Sequence, residues 1–125
     1  MAKILTIDDA MFMRRVIGKC IRQTGNECIE ARNGREGLEM IESEAPDLVI
    51  LDLVMPGMDG FGVLEALQKQ KGVPPVIVMT ADIQASVKEK VLALGAQDFL
   101  NKPPDEEQLK AAIKKHLGLE VGNAV

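Results

Sequence analysis

Five short apolar runs, each followed by a longer segment with helical periodicity, constrain the fold of this chain more than any other feature. The runs are 3–7, 27–31, 48–51, 76–79 and 98–101, and the helical segments are 11–24, 35–44, 61–70, 84–94 and 105–117. The third and fourth runs are apolar without alternation, as expected of central strands that are covered on both faces. The pattern therefore predicts five βα units and a parallel sheet.

Right-handed crossovers between such units give an α/β fold with a doubly wound, five-stranded parallel sheet. The flavodoxin-like (βα)5 arrangement, with strand order 2-1-3-4-5, is the common solution for a chain of this size. In such a sheet the ligand site lies outside the carboxyl ends of the strands, where the strand order reverses. We expect the functional residues at that edge.

The first helical segment carries an apolar stripe that is expected to pack on the sheet. Its members recur at i, i+4 spacing and are Phe12, Met13, Val16, Ile17, Cys20 and Ile21. Asp59 is expected to cap the third helix, and Gly25, Gly95 and Gly118 are expected to follow the ends of the first, fourth and fifth helices.

Length and charge exclude several classes of protein. A chain of 125 residues matches one domain, which we expect over 1–119, with a frayed tail over 120–125. A net charge of −4 and the absence of any run of Lys or Arg disfavour nucleic-acid binding. No apolar segment approaches the roughly 20 residues that span a bilayer, and the N-terminal sequence turns acidic too early for a signal peptide. We expect a cytoplasmic protein without membrane insertion.

The cysteines and the histidine offer no catalytic or metal-binding pattern. Cys20 and Cys28 do not form a CxxC pair and are expected to be buried thiols. His116, near the end of the last helix, is expected to interact favourably with the helix dipole. No Ser-His-Asp arrangement is present in the sequence.

Polar side chains follow four of the apolar runs at the point where each run ends. Asp8 and Asp9 follow the first run, Asp52 the third, Thr80 the fourth and Lys102 the fifth. Parallel strands deliver their carboxyl ends to one edge of the sheet, so these side chains are expected to meet. Each alone could be a helix cap, a loop contact or a solvated side chain. The combination favours a functional site.

Three carboxylates at one rim repel one another, so a shared proton or a bound cation must offset their charge. Oxygen ligands with open positions suit Mg²⁺, which commonly meets a phosphate as well. An Asp carboxylate can attack phosphorus to give an acyl phosphate, while Mg²⁺ and the Lys102 ammonium neutralise charge on the transferring group. Thr80 offers a hydroxyl to a phosphoryl oxygen, and the small Ala81 leaves room for a phosphate. These residues predict a Mg²⁺-dependent phosphoryl acceptor.

The same residues, in this order, make the chain resemble response-regulator receiver domains over 3–117. The matching segments are IDDAMFMRRVI, LDLVMPGMDG, VIVMTADIQ and DFLNKPPDE. The resemblance implies that Asp52 is the phosphoacceptor. It also implies that Asp9, Asp52 and the backbone carbonyl of Val54 are direct Mg²⁺ ligands, and that Asp8 is a ligand acting through water.

The resemblance further implies a phosphate-binding and switch set. Thr80, with Ala81 after it, matches the switch hydroxyl, Lys102 matches the phosphate-binding lysine, and Phe99 matches the switch aromatic. Because Phe99 lacks the hydroxyl of a tyrosine, a readout through a phenolic hydrogen bond is not expected. Lys102 and Pro103 match a cis peptide bond of the family.

Two further positions vary in this family and tune hydrolysis of the phosphoryl group. They are occupied here by Val54 and Asp82. A valine cannot orient an attacking water, whereas the carboxylate of Asp82 can. The lifetime of the phosphoryl group is not predicted from them.

Together these features predict a single-domain response regulator of a two-component phosphorelay. We expect it to accept a phosphoryl group from a histidine kinase on Asp52 with Mg²⁺, to signal by phosphorylation-dependent protein binding, and not to be a turnover enzyme. The expected docking surface for a downstream target is the face built from the fourth helix, the fifth strand and the fifth helix. The segment DDAMFMRRVI is most similar to chemotaxis-type (CheY-like) receivers.

Three alternatives remain open at this level. A Mg²⁺-dependent phosphatase or phosphotransferase with an Asp nucleophile would usually need a cap or lid, and no segment is spare for one. A flavin or nucleotide binder is disfavoured because GMDGFG lacks the GxGxxG spacing and follows the third strand. A phosphate sink, which drains a kinase without an output of its own, is not separated by the sequence.

Overall fold

The computed structural model describes residues 1–81 and 84–117, and it contains a parallel five-stranded sheet. Its strands are β1 (Lys3–Ile7), β2 (Glu27–Ala31), β3 (Leu48–Asp52), β4 (Val76–Thr80) and β5 (Asp98–Asn101). The spatial order is β2-β1-β3-β4-β5, and every neighbouring pair is parallel. The predicted fold class is confirmed.

Five helices connect the strands within the described ranges. They are α1 (Met11–Gln23), α2 (Gly34–Glu44), α3 (Gly60–Gln68), α4 (Ala85–Ala93) and α5 (Glu106–His116). Helix boundaries agree with the predictions to within two residues. None of these described helices has both the length and the apolar character needed to cross a bilayer.

Two strands are one residue longer than predicted, and the difference lies at the functional edge. β3 includes Asp52 and β4 includes Thr80, and both residues keep the register of the sheet. Because side chains alternate between the two faces of a strand, membership in the strand fixes which face each residue occupies.

The sheet separates two apolar cores. Leu5, Ile7, Val49, Leu51, Val76 and Val78 pack against residues of α2, α3 and α4. Ile4, Leu48, Ile50, Ile77 and Met79 pack against residues of α1 and α5. Every residue of β3 and β4 is buried, as predicted for central strands with helices on both faces.

The predicted apolar stripe of α1 is wrong at its N-terminal end. Phe12 is 75% exposed, whereas Arg14 is buried together with Ile17, Gly18 and Ile21. The buried residues repeat at i, i+3 or i+4 from Arg14, and successive helix residues are rotated by about 100°. Phe12 therefore lies on the side of the helix away from the sheet. The apolar character of Phe12 did not determine the rotation of α1 about its axis.

Other predicted local features are present. The Asp59 side chain accepts a hydrogen bond from the backbone N–H of Gly62 at 3.0 Å and caps α3. Gly25 and Gly95 follow α1 and α4 with φ of +84° and +102°, a backbone conformation that favours glycine. Gly118, Asp82 and the predicted tail over 120–125 lie outside the described residues.

The remaining sequence candidates take ordinary structural positions. Cys20 is buried and Cys28 is half-buried, both as free thiols, and burial raises the pKa of the Cys28 thiol to about 11. His116 Nε2 lies 2.9 Å from Asp98 Oδ2, so the imidazole links the end of α5 to the start of β5.

Thr6 provides a test of the packing around β1. Its side chain is fully buried, and its hydroxyl has no hydrogen-bond partner among the described residues. Burying an unpaired hydroxyl is unfavourable, so Thr6→Val is expected to raise the free energy of unfolding by about 1 kcal/mol in urea denaturation.

Thr24→Val is the matched control, because the Thr24 hydroxyl donates to the Ile21 carbonyl at 2.6 Å and accepts from Asn26 Nδ2 at 2.9 Å. That substitution is expected to lower the free energy of unfolding by about 1 kcal/mol. A loss of stability in Thr6→Val similar to that in Thr24→Val would contradict the assignment of an unpaired hydroxyl.

Candidate functional site

Three charged side chains at the carboxyl ends of the strands lie on the same face of the sheet. Asp8 follows β1, Asp52 ends β3 and Lys102 follows β5. Each is an even number of residues from a side chain in the core under α1 and α5, namely Ile4, Ile50 and Leu100. The two-residue period of β-strands therefore brings both acids and the lysine to one side of the edge.

Lys102 bridges the two acids. Its Nζ lies 3.0 Å from Asp8 Oδ2 and 3.1 Å from Asp52 Oδ2. Asp8 and Asp52 are 1% and 3% exposed, so both ion pairs lie in a largely water-excluded region. The backbone N–H of Lys102 donates to the Thr80 carbonyl at 3.0 Å, and the Lys102–Pro103 peptide bond is cis.

Asp8 is fixed by its backbone as well as by its carboxylate. Its N–H donates to the Ala31 carbonyl at 3.1 Å, and its Oδ1 accepts from the Ala10 N–H at 2.9 Å. Its own carbonyl accepts from Arg14 Nη1 at 2.8 Å. The sequence motifs did not point to Arg14. A charged residue in an amphipathic helix is normally expected on its solvent-exposed face, opposite apolar residues such as Phe12 and Met13.

The turn after Asp52 is held against the end of β3 by a close approach of Gly60. The Gly60 N–H donates to the Leu53 carbonyl at 2.8 Å, and a Cβ on Gly60 would lie 2.8 Å from the Asp52 carbonyl oxygen. Within this turn the Val54 N–H is 3.4 Å from Asp52 Oδ1. Only glycine at position 60 therefore lets α3 start directly beside the backbone of Asp52.

The electrostatics of the site are unbalanced. Burial, together with the charge of Asp8, raises the pKa of Asp52 to about 6, against the opposing effect of Lys102. Burial by itself lowers the pKa of Lys102, but hydrogen bonds and charges from Asp8 and Asp52 outweigh that effect and raise it. The lysine therefore stays charged, and one ammonium does not fully compensate the acids.

The acidic residues fit a divalent cation of the Mg²⁺ type. Asp8, Asp9 and Asp52 each offer a carboxylate oxygen, and these ligand atoms all lie within 4.8 Å of one another. Asp9 is exposed, so the group opens to solvent, where water can complete the coordination. Carboxylate oxygens and a residual negative charge are what a hard divalent cation requires.

A cavity of about 440 Å³ opens over Asp52. The residues that line it are Met13, Asp52, Val54, Thr80, Ala81, Lys102 and Pro103. Val54 is 70% exposed at its rim, and Thr80 is 1% exposed. The structure thus brings the predicted phosphoacceptor, lysine, hydroxyl residue and small alanine to one opening.

Phe99 lies apart from this charged group. It is half-buried and packs against the core under α2, α3 and α4, and it pairs with Val78 in the sheet. Strand alternation places Thr80 on the same face as Val78. Phe99 and Thr80 therefore share one face, while the charged side chains of Asp8, Asp52 and Lys102 occupy the other.

Comparison with known proteins identifies the family of the chain. The family model of the response regulator receiver domain matches residues 4–114. The chain belongs to this family. Receiver domains are signalling regulators that are phosphorylated on an aspartate by histidine kinases and act on downstream targets.

Known relatives of this receiver domain differ in total length. The probable transcriptional regulator ycf27 of Porphyridium aerugineum is 40% identical over 115 residues, which are 92% of this chain and 48% of that protein. The chain therefore spans about half the length of this relative. Sporulation initiation phosphotransferase F of Bacillus subtilis is 34% identical over 118 residues, covering 94% of this chain and 95% of that protein.

A solved structure shows the same fold. The chemotaxis protein CheY4 of Vibrio cholerae superposes with a TM-score of 0.84 and 31% identity, covering 92% of this chain and 98% of the other. The predicted likeness to CheY-like receivers is confirmed at the level of structure. The pathway in which this receiver acts stays a prediction.

The raised pKa of Asp52 predicts a pH-dependent difference between the metal-free wild type and Asp52→Asn. Asp52 binds its proton more tightly in the folded state, with a pKa of about 6, than at its ordinary value of 3.8. The stabilisation of the folded state by this tighter proton binding is therefore complete below about pH 4 and is lost as pH rises through about 6. Asn carries no such titration.

Urea denaturation in EDTA at several pH values measures this difference. The advantage of Asp52→Asn over wild type is expected to grow between about pH 4 and pH 6.5 and to level off at roughly 3 kcal/mol above its low-pH value, because the pKa of Asp52 is raised from 3.8 to about 6. A difference that stays constant over this range would show that the carboxylate titrates as it does in the unfolded chain.

Proposed function

We propose that this chain accepts a phosphoryl group from a phosphohistidine of a histidine kinase on Asp52, as the receiver of a two-component phosphorelay. The observation that carries the proposal is the buried Asp52 carboxylate at the cavity, with Lys102 Nζ 3.1 Å from Oδ2 and two more acids beside it. A cytoplasmic location and a chemotaxis-type role accompany this proposal as predictions.

In the transfer step, one carboxylate oxygen of Asp52 attacks phosphorus. The P–N bond of the phosphohistidine breaks, its electron pair stays with the kinase imidazole, and the product is a mixed anhydride at Asp52. The Lys102 ammonium, which is already oriented toward Asp52, stabilises charge on the transferring group. The small Ala81 leaves space for phosphate oxygens at the cavity. Thr80, which carries a hydroxyl, lines the same cavity.

The acidic cluster would hold Mg²⁺ through Asp9, Asp52 and the carbonyl of Val54, with Asp8 acting through water. When bound, Mg²⁺ would supply positive charge that offsets the negative charge of the phosphoryl oxygens during transfer. Asp8 has a second role in this proposal, because its Oδ2 holds the Lys102 ammonium at 3.0 Å. Loss of Asp8 would therefore disturb the lysine as well as the cation site.

We further propose that the output is phosphorylation-dependent protein binding at the surface formed by α4, β5 and α5. Thr80 and Phe99 support this assignment, because they share the face of the sheet on which α4 packs. A phosphoryl group that draws Thr80 toward Asp52 would change the packing beside Phe99. A partner that prefers the altered packing would then bind the phosphorylated state more tightly.

Phosphorylation by acetyl phosphate with Mg²⁺ tests the proposed chemistry. Intact mass spectrometry is expected to show one added, base-labile phosphoryl group in wild type and none in Asp52→Asn or after EDTA. Asp47→Asn is the matched control, since Asp47 precedes the opposite end of β3 and is exposed. It should be phosphorylated like wild type, and an unchanged mass of wild type under saturating donor would refute the proposal.

Amide NMR spectra during phosphorylation test the proposed output surface. In wild type, shift changes are expected at the site and also along α4, β5 and α5, including Phe99. Thr80→Ala should still accept the phosphoryl group but lose the changes at Phe99, whereas Val73→Ala, at an exposed position before β4, should keep both. Changes restricted to α1 and α2 would argue against this docking surface.

A further inference from the structure

We infer that Arg14 is a positioning residue for the cation site, because its guanidinium donates a hydrogen bond that fixes the peptide plane joining Asp8 to Asp9. The inference rests on the proposed function in one respect only, namely that the acidic cluster binds Mg²⁺. It assigns a role to a residue that lies outside the cavity and outside the acidic cluster itself.

The position of Arg14 is unusual for a charged residue. It lies in the first turn of α1 and is only 8% exposed. Its Nη1 donates to the Asp8 carbonyl at 2.8 Å, and its Nε donates to Glu30 Oε1 at 3.0 Å. A planar guanidinium can make both bonds at once in a fixed geometry, which a flexible ammonium cannot. Arg14 thus connects α1, the end of β1 and β2 through one rigid group.

The bond to the Asp8 carbonyl acts on Asp9. The carbonyl of Asp8 and the N–H of Asp9 belong to one planar peptide unit, so a bond that fixes this oxygen also fixes the direction in which the chain enters Asp9. Asp8 has further anchors in Ala31, Ala10 and Lys102. The exposed Asp9 carboxylate, by contrast, has no hydrogen bond or ion pair to the described part of the chain. Its placement depends on the backbone that Arg14 holds.

The charge of Arg14 and its hydrogen bond have opposite effects on cation binding. A positive charge close to the acidic cluster repels a cation, so removal of the charge alone would tighten Mg²⁺ binding. Removal of the hydrogen bond frees the peptide plane and would weaken Mg²⁺ binding. Residues that orient metal ligands typically change metal affinity by about 10- to 100-fold when they are replaced. The sign of the change therefore separates a positioning role from an electrostatic one.

The experiment compares Arg14→Met with Arg15→Met in a calorimetric titration with Mg²⁺ alone at pH 7.5. Both changes remove one positive charge from neighbouring positions of α1, but Arg15 is exposed. Methionine fills much of the buried volume at position 14 without a donor. We expect the Kd for Mg²⁺ to rise about tenfold in Arg14→Met and to stay equal or fall slightly in Arg15→Met.

Thermal unfolding in EDTA shows whether Arg14 is merely structural. A lower Tm of Arg14→Met with an unchanged Kd for Mg²⁺ would overturn the inference, as would a tighter Kd. If Arg14→Met does not fold, Arg14→Lys decides, because it keeps the charge but not both hydrogen bonds. Its Kd should rise about threefold, and a Kd equal to that of wild type would overturn the inference.

The outcomes also separate this inference from the proposed function. A wild-type protein that binds no Mg²⁺ and accepts no phosphoryl group would refute the proposed function. Wild-type binding together with unchanged binding in Arg14→Met refutes the role of Arg14 alone. Phosphorylation kinetics add a further readout, since saturating Mg²⁺ should restore the rate of Arg14→Met if its defect lies in cation affinity.

Discussion

The ion pairs of the Lys102 ammonium with Asp8 and Asp52 are the interaction on which the rest of the site depends. Two carboxylates that are 1% and 3% exposed would be strongly destabilising without a partner. β5 lies two strand spacings from β3, so only a long side chain can reach past the end of β4 to both acids. The hydrogen bond from the Lys102 N–H to the Thr80 carbonyl fixes the backbone from which this side chain extends. Three strand ends are therefore coupled through one ammonium, and the backbone N–H of Lys102 adds the end of β4.

This compensation is incomplete, and the remaining negative charge favours a bound proton or cation. Three acids with ligand atoms within 4.8 Å face one lysine, and the pKa of Asp52 rises to about 6 as a result of burial and of Asp8. The folded chain therefore favours a proton or a cation at the same carboxylate that would attack phosphorus. A site that was electrically neutral would be more stable, but it would have less affinity for a divalent ion.

Residues at strand ends could be predicted from the sequence, whereas those fixed by distant partners could not. Asp8, Asp52 and Lys102 follow apolar runs, so sheet geometry alone brings them to one edge. Prediction of the faces occupied by Thr80 and Phe99 would have required the exact strand register, since a shift of one residue moves a side chain to the opposite face. The burial of Arg14 depends on Glu30 and on the Asp8 carbonyl, which no helical period reveals.

The exposed Phe12 and the buried Arg14 are two results of the same constraint on α1. They are two positions apart, so a rotation of α1 that buried Phe12 would turn Arg14 toward solvent. Burying Phe12 would remove apolar surface from water, yet the structure keeps the orientation in which Arg14 donates to Asp8 and Glu30. Those bonds tie the rotation of α1 to the loop that carries Asp8 and Asp9. The orientation of the first helix and the geometry of the acidic cluster are thus determined together.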